Sequence, residues 1–128
     1  MTQRILVIDD DSHLRGILCQ MFEQAGYEVA DARNGTEAVQ MYHEKPADLV
    51  IADILMPEKD GFETFIELKK NYPTIKYFVI SGGGRLGPES YLKLAKKIGV
   101  LRTFAKPFDC REMLDAVALT LKDDHRAT

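Results

Sequence analysis

Four places in this 128-residue chain put reactive side chains directly behind short apolar runs. Asp9, Asp10 and Asp11 follow Ile5-Leu6-Val7-Ile8. Asp53 follows Leu49-Val50-Ile51-Ala52, Ser81 follows Tyr77-Phe78-Val79-Ile80, and Lys106 follows Arg102-Thr103-Phe104-Ala105. Carboxylates held together repel: at about 4 Å and an effective dielectric near 20, each pair costs on the order of 4 kcal/mol. A fold tolerates that where protons or a cation neutralise the charge. A hard divalent ion suits the set, because Mg2+ takes a few carboxylates, keeps several waters and completes its shell with phosphate oxygens. There is no Cys or His cluster to favour zinc. Lys106 brings a point positive charge to the same pocket. Metal, ammonium and carboxylate together suit uptake of a phosphoryl group, the cations offsetting its equatorial oxygens while a carboxylate oxygen attacks in line. Singly these residues say less. Asp9–Asp11 also suits a solvated helix start, Asp53 a strand-end turn, and Lys106 an ordinary surface lysine; the joint placement carries the chemistry.

Placing the four groups on one rim requires a particular frame. Three of the apolar runs are β-branched and continuous, as parallel strands covered on both faces must be, while Glu28-Val29-Ala30 and Arg102–Ala105 are weaker and suit sheet edges. Helical periods separate them. Leu14, Ile17, Leu18, Met21, Phe22 and Ala25 form one apolar stripe that stops at Gly26. Thr36–Lys45 is a second helix with Asn34 as cap and Glu37 three residues on. A third runs from about Gly61 to Asn71 behind Asp60 as cap. The fourth is opened by Pro88, with Tyr91, Leu94, Ala95 and Ile98 on its inner side. The fifth starts at the Asp109 cap and continues through Leu114, Val117 and Leu121. Strict strand–helix alternation predicts an α/β fold, a doubly wound five-stranded parallel sheet with right-handed crossovers and five helices. In such a sheet, ligands bind beyond the carboxyl ends of the strands.

Length and composition agree with one domain over residues 1–128, with residues 122–128 read as a polar tail that frays. The chain is 45% hydrophobic and 29% charged, which excludes a disordered or low-complexity protein. No apolar run approaches the roughly 20 residues of a membrane span, so a cytoplasmic protein with no membrane partner is expected. Cys19 and Cys110 are read as reduced thiols. The net charge of −3 argues against nucleic-acid binding, yet it is unevenly spread. Arg85 to Arg111 carries seven basic and two acidic residues, whereas the rest of the chain carries ten and eighteen. His13, His43 and His125 are read as surface residues.

The motifs Val7-Ile8-Asp9-Asp10-Asp11, Asp53-Ile54-Leu55-Met56-Pro57 continuing to Asp60-Gly61, Ile80-Ser81 and Lys106-Pro107-Phe108 stand in this order along the chain. With them the sequence resembles, over nearly its full length, the receiver domain of bacterial two-component response regulators. The resemblance implies the flavodoxin-like receiver fold with strand order 2-1-3-4-5. It implies that Asp53 is the phosphoacceptor, served by a phosphohistidine on a sensor histidine kinase or histidine phosphotransfer protein. It further implies that Asp10, Asp53 and the backbone carbonyl of Leu55 ligate Mg2+, with Asp9 acting through a metal-bound water. Lys106 and Ser81 would bind the phosphoryl group, Ser81 and Phe104 would form the switch, and the Lys106-Pro107 bond would be cis. The helix 4–strand 5–helix 5 face would signal to a downstream protein target, here one with an acidic surface given the local excess of basic residues. A phosphorylation-dependent dimer is a further expectation. With no output segment in these residues, a single-domain receiver is expected, acting by binding a target or by passing the phosphoryl group onward; it is not an enzyme in the ordinary sense, only a self-phosphorylating acceptor.

Competing readings fit less of the chain. A haloacid dehalogenase-type phosphatase with Asp9 as nucleophile leaves Asp53 and the Met56-Pro57…Asp60-Gly61 turn unexplained and usually needs a cap domain. A flavin binder would present Ser, Thr and Gly amides where three aspartates stand. A non-phosphorylated docking module would leave the acceptor-site residues without a purpose. The sequence departs from the family pattern at four places: Ser81 stands for the commoner Thr, Phe104 for Tyr, Leu55 offers no polar side chain to orient water, and Ser81–Gly87 lengthens a glycine-rich connection. Leu55 predicts slow autodephosphorylation. Leu55→Asn is expected to shorten the phosphoryl lifetime in a mass-spectrometric time course, and equal decay of the two proteins would refute the role given to Leu55.

Overall fold

The computed structural model describes residues 2–54, 61–82 and 88–126. Five strands and five helices alternate: β1 Arg4–Ile8, α1 Ser12–Gln24, β2 Glu28–Ala32, α2 Gly35–Glu44, β3 Leu49–Asp53, α3 Gly61–Asn71, β4 Tyr77–Ser81, α4 Pro88–Ile98, β5 Arg102–Ala105 and α5 Cys110–Arg126. The strands pair in parallel in the order β2-β1-β3-β4-β5, which puts the two weakest runs at the edges.

Why the central runs are continuously apolar is visible in the packing. Alternate residues of one strand point to opposite faces. Leu6, Ile8, Val50, Ala52, Tyr77 and Val79 face α2, α3 and α4, while Ile5, Val7, Leu49, Ile51, Phe78 and Ile80 face α1 and α5. Both faces are covered, so neither parity can be polar. Leu18 and Phe22 of α1 and Met113, Ala116, Val117 and Leu121 of α5 close the second core.

Helix ends follow the residues read from the sequence. Asn34 accepts a hydrogen bond from the Glu37 N–H at 2.8 Å, and Asp109 accepts from the N–H groups of Arg111 and Glu112. At the end of α1, Gly26 takes a positive φ of 99° and the Tyr27 N–H returns to the Phe22 carbonyl at 3.1 Å. That left-handed residue reverses the chain into β2 at little steric cost because it lacks a Cβ.

Three expectations need correction. The periodicity puts Ile17 in the apolar stripe of α1, but it is 42% exposed. The helix buries the line through Leu18 and Phe22, and Ile17 lies on its flank, facing the segment after β5. The periodicity puts Leu94 on the inner side of α4, yet it is 47% exposed, whereas its neighbour Ala95 is fully buried. One residue is a rotation of about 100° on a helix, and the inward line runs through Ala95. The polar residues read as a fraying tail are helical as far as Arg126. The Asp60 cap, Leu55 and most of the Ser81–Gly87 connection lie outside the described residues, as does the side chain of Tyr91.

Candidate functional site

The rim is assembled by extending the sheet ladder one residue past β1, β3 and β5. The Asp9 N–H donates to the Ala32 carbonyl at 3.1 Å, Ile54 N–H to Ile80 at 3.0 Å, and Lys106 N–H to Ser81 at 2.8 Å. These bonds carry the rigidity of the sheet into the loops that bear the reactive groups. On them, one carboxylate oxygen from each of Asp9, Asp10 and Asp53 comes within 4.8 Å of the others. Lys106 reaches in from β5: its Nζ donates to Asp53 Oδ2 at 2.7 Å and stands 3.8 Å from Asp9 Oδ2. The Lys106-Pro107 peptide is cis, as expected.

Burial divides the acidic group into distinct roles. Asp9 is 1% exposed and Asp53 is 5% exposed, while Asp10 lies open to solvent. Asp11 is drawn away from the cluster. Its carboxylate accepts from the N–H groups of His13 and Leu14 and caps α1, which was the bland alternative for an acidic helix start. Asp9 Oδ1 accepts the Asp11 N–H at 2.9 Å, but Asp9 Oδ2 is buried without a hydrogen-bond donor. Ser81 Oγ is likewise fully buried and unpartnered. Buried polar atoms normally find partners, so two such oxygens on one rim mark a place built to receive something. Three hard oxygen donors, with one ammonium set against three carboxylates, fit a hard divalent cation.

Burial pushes the Asp9 carboxyl up to about 6; the Asp11 N–H and Lys106 oppose this, and the charges of Asp53 and Asp10 reinforce it. Desolvation pulls the Lys106 ammonium down, but the hydrogen bond and charge of Asp53, with Asp9 and Asp11 behind it, outweigh that and hold it above its ordinary value. The ammonium is therefore charged throughout the physiological range.

Two small residues make room. A Cβ at Gly82 would come within 3.0 Å of the Lys106 Cδ, so the lysine stem passes over a bare backbone. A Cβ at Gly61 would lie 2.5 Å from the Asp53 carbonyl oxygen, and the Gly61 carbonyl accepts the buried Tyr77 hydroxyl at 3.0 Å. Neither role is readable from glycine content alone. Phe104 is buried against Phe78, ring centroids 5.7 Å apart, with the Arg102 guanidinium over its ring at 5.4 Å. Beside Lys106 a cavity of about 460 Å³ is lined by Leu14, Ile17, Pro107, Phe108 and Cys110. Cys19, half-buried, has its thiol pushed up to about 11 by burial, with Asp31 and Glu23 adding to it, so it is a poor nucleophile.

The family model of the response regulator receiver domain matches residues 5–118. The chain belongs to this family. As a receiver domain it is 33% identical over 117 residues to the sporulation initiation phosphotransferase F of Bacillus subtilis, covering 91% of this chain and 92% of that protein. It is 36% identical over 118 residues to the chemotaxis protein CheY of Thermotoga maritima, covering 91% and 96%. A receiver domain structure from Clostridium thermocellum superposes with a TM-score of 0.88 at 28% identity, covering 98% and 99% of the two chains. A CheY-like receiver from Methanospirillum hungatei gives 0.89 at 25% identity over both full chains. The receiver is thus a signalling module of the two-component and phosphorelay class, and no helix among its described residues is long and apolar enough to cross a membrane.

The raised Asp9 carboxyl has a consequence for stability. Its folded-state value of about 6 lies above the ordinary 3.8, so between those pH values the folded receiver holds a proton that the unfolded chain has lost. Stability is therefore drained as pH rises through that window, and the full cost is present above it. Asp9→Asn is expected to stabilise the receiver in EDTA at pH 7.5 by on the order of 2 kcal/mol, with about half that gain at pH 5. Melting curves at the two pH values check it; an equal gain at both would refute it.

Proposed function

We propose that the receiver takes a phosphoryl group onto Asp53 and uses its charge to change the surface it offers a partner. The observation that carries this reading is the 2.7 Å contact between Lys106 Nζ and Asp53 Oδ2, beside two further carboxylates and the unpartnered Ser81 Oγ. The donor is a phosphohistidine on a sensor kinase or phosphotransfer protein. An Asp53 carboxylate oxygen forms the new bond to phosphorus as the phosphorus–nitrogen bond breaks, and the departing imidazole keeps the electron pair and takes up a proton. Lys106 then turns from the Asp53 carboxylate to the phosphoryl oxygens, and the Ser81 hydroxyl donates to one of them. Mg2+, when bound, would be held by Asp10, Asp53 and the Leu55 carbonyl with Asp9 beside them, and would supply positive charge that offsets the phosphoryl oxygens. Asp9 is the weaker candidate for nucleophile: one of its oxygens is already bonded to the Asp11 N–H, and burial favours its protonated form.

The donor seats at the apolar cavity beside Lys106, where Ile17 is exposed within reach of the site. The output face is α4–β5–α5. Lys93, Lys96 and Lys97 are exposed on α4 around the half-exposed Leu94, and Arg102 and Arg111 are exposed beyond it. That combination fits a target with an acidic, partly apolar surface. Phosphorylation biases this face through Ser81: satisfying a phosphoryl oxygen draws the hydroxyl toward Asp53, and the β4 end and Phe104 repack around it.

The test is intact mass after incubation with acetyl phosphate and Mg2+. The wild type is expected to gain one phosphoryl group and Asp53→Asn none; an adduct surviving in the mutant would move the nucleophile elsewhere, to Asp9 first. For the output face, Lys93→Glu with Lys97→Glu is expected to weaken capture of the phosphorylated receiver's target at least tenfold at low salt, read by titration calorimetry. Unchanged affinity would remove the electrostatic argument.

A further inference from the structure

We propose that Arg15 is a positioning residue for the acidic site, a molecular strut that fixes the Asp9–Asp10 peptide. This rests on reading Asp9, Asp10 and Asp53 as a divalent-cation site, and it goes beyond that reading by assigning a residue outside the site motifs. Arg15 lies in the first turn of α1. An arginine there ordinarily extends its guanidinium into water. This one folds back and is only 13% exposed. Its Nη1 donates to the Asp9 carbonyl oxygen at 2.7 Å, and its Nε donates to Asp31 Oδ2, at the end of β2, at 2.8 Å.

The Asp9 carbonyl belongs to the peptide that joins Asp9 to Asp10. Fixing that oxygen fixes the plane of the peptide, and with it the direction in which Asp10 leaves the backbone. Asp9 is otherwise pinned on its other side, through its N–H to Ala32 and its Oδ1 to the Asp11 N–H. Asp10 has no such support: among the described residues no hydrogen bond holds its exposed side chain. Among the described residues, only its backbone brings its carboxylate within 4.8 Å of Asp9 and Asp53. The strut from Arg15 is therefore what aims it.

A guanidinium this near a cation site should repel the cation. Asp31 resolves the conflict. By pairing with Nε it cancels most of the charge while holding the planar fork in the orientation that reaches the Asp9 carbonyl. The pair contributes geometry with little net field. Lysine in place of arginine has a single flexible ammonium and cannot span both acceptors in one fixed plane.

Charge and geometry predict opposite signs for the same substitution, which makes the idea testable. Mg2+ affinity is measured by titration calorimetry at pH 7.5 for the wild type, Arg15→Ala and Arg15→Lys, with melting temperatures in EDTA and amide hydrogen exchange at Asp10 and Asp11. Arg15→Ala is expected to weaken Mg2+ binding about tenfold and to speed exchange at the two amides, with Arg15→Lys showing a smaller loss. A simple charge effect would instead tighten binding when the guanidinium is removed. A purely structural role would lower the melting temperature and leave the titration unchanged. Either result overturns the proposal. If the alanine variant fails to fold, Arg15→Lys carries the same comparison, and unaltered affinity there overturns it equally. Absence of Mg2+ binding in the wild type would overturn the cation-site reading and this inference with it, and so separates the two failures.

Discussion

Everything at the carboxyl end of the sheet depends on keeping like charges together. Three carboxylate oxygens lie within 4.8 Å and two of the aspartates are almost wholly buried, against one ammonium at hydrogen-bond distance. Unneutralised, each close pair costs on the order of 4 kcal/mol at an effective dielectric near 20. Lys106 offsets part of this and burial shifts another part into protonation of Asp9, but neither satisfies Asp9 Oδ2 or Ser81 Oγ. The site is held under electrostatic tension by the rest of the fold. Three carboxylates against one ammonium leave two negative charges, the amount that one divalent cation offsets.

A floppy frame would relax that tension by letting the aspartates drift apart. The double-sided core prevents it. Every residue of β3 and β4 is buried, and the ladder continues past the strand ends through the Asp9, Ile54 and Lys106 amides. The close approaches at Gly61 and Gly82 do the same work by different means: a Cβ would overlap the Asp53 carbonyl at Gly61 and crowd the Lys106 stem at Gly82. Stability in the sheet is thus converted into strain-free but electrostatically unfavourable placement at its rim, a division of labour common at functional sites.

How much of this was legible in the sequence follows from the range of each interaction. Asp9, Asp53, Ser81 and Lys106 could be found because parallel-strand ends converge on one rim, so a residue's position behind an apolar run already locates it in space. Caps at Asn34 and Asp109 are local and were equally readable. Ile17 and Leu94 were misplaced because a helical stripe is wider than the line that touches the sheet, and residues on its flank share its periodicity without its burial. The ladder bonds and the steric roles of Gly61 and Gly82 depend on which strands become neighbours. Arg15 was invisible for another reason: its side chain spans from α1 to both β1 and β2, and nothing in its own vicinity along the chain announces that reach.

The substitution of Ser81 for threonine and Phe104 for tyrosine changes what a switch on this frame must rely on. Ser81 Oγ is buried without a partner, which costs about 1–3 kcal/mol relative to a satisfied hydroxyl. On the proposed reading that cost is recovered when a phosphoryl oxygen accepts its proton, so part of the driving force is stored in the unphosphorylated receiver. Serine lacks the methyl that would otherwise wedge the hydroxyl in one orientation, and so the barrier to turning it is low. Phe104 is already buried against Phe78 and has no hydroxyl to bring back to solvent or to a partner. On the proposed reading its response is therefore one of packing, and the coupling from Asp53 to the basic face of α4 would run through steric fit at the ends of β4 and β5.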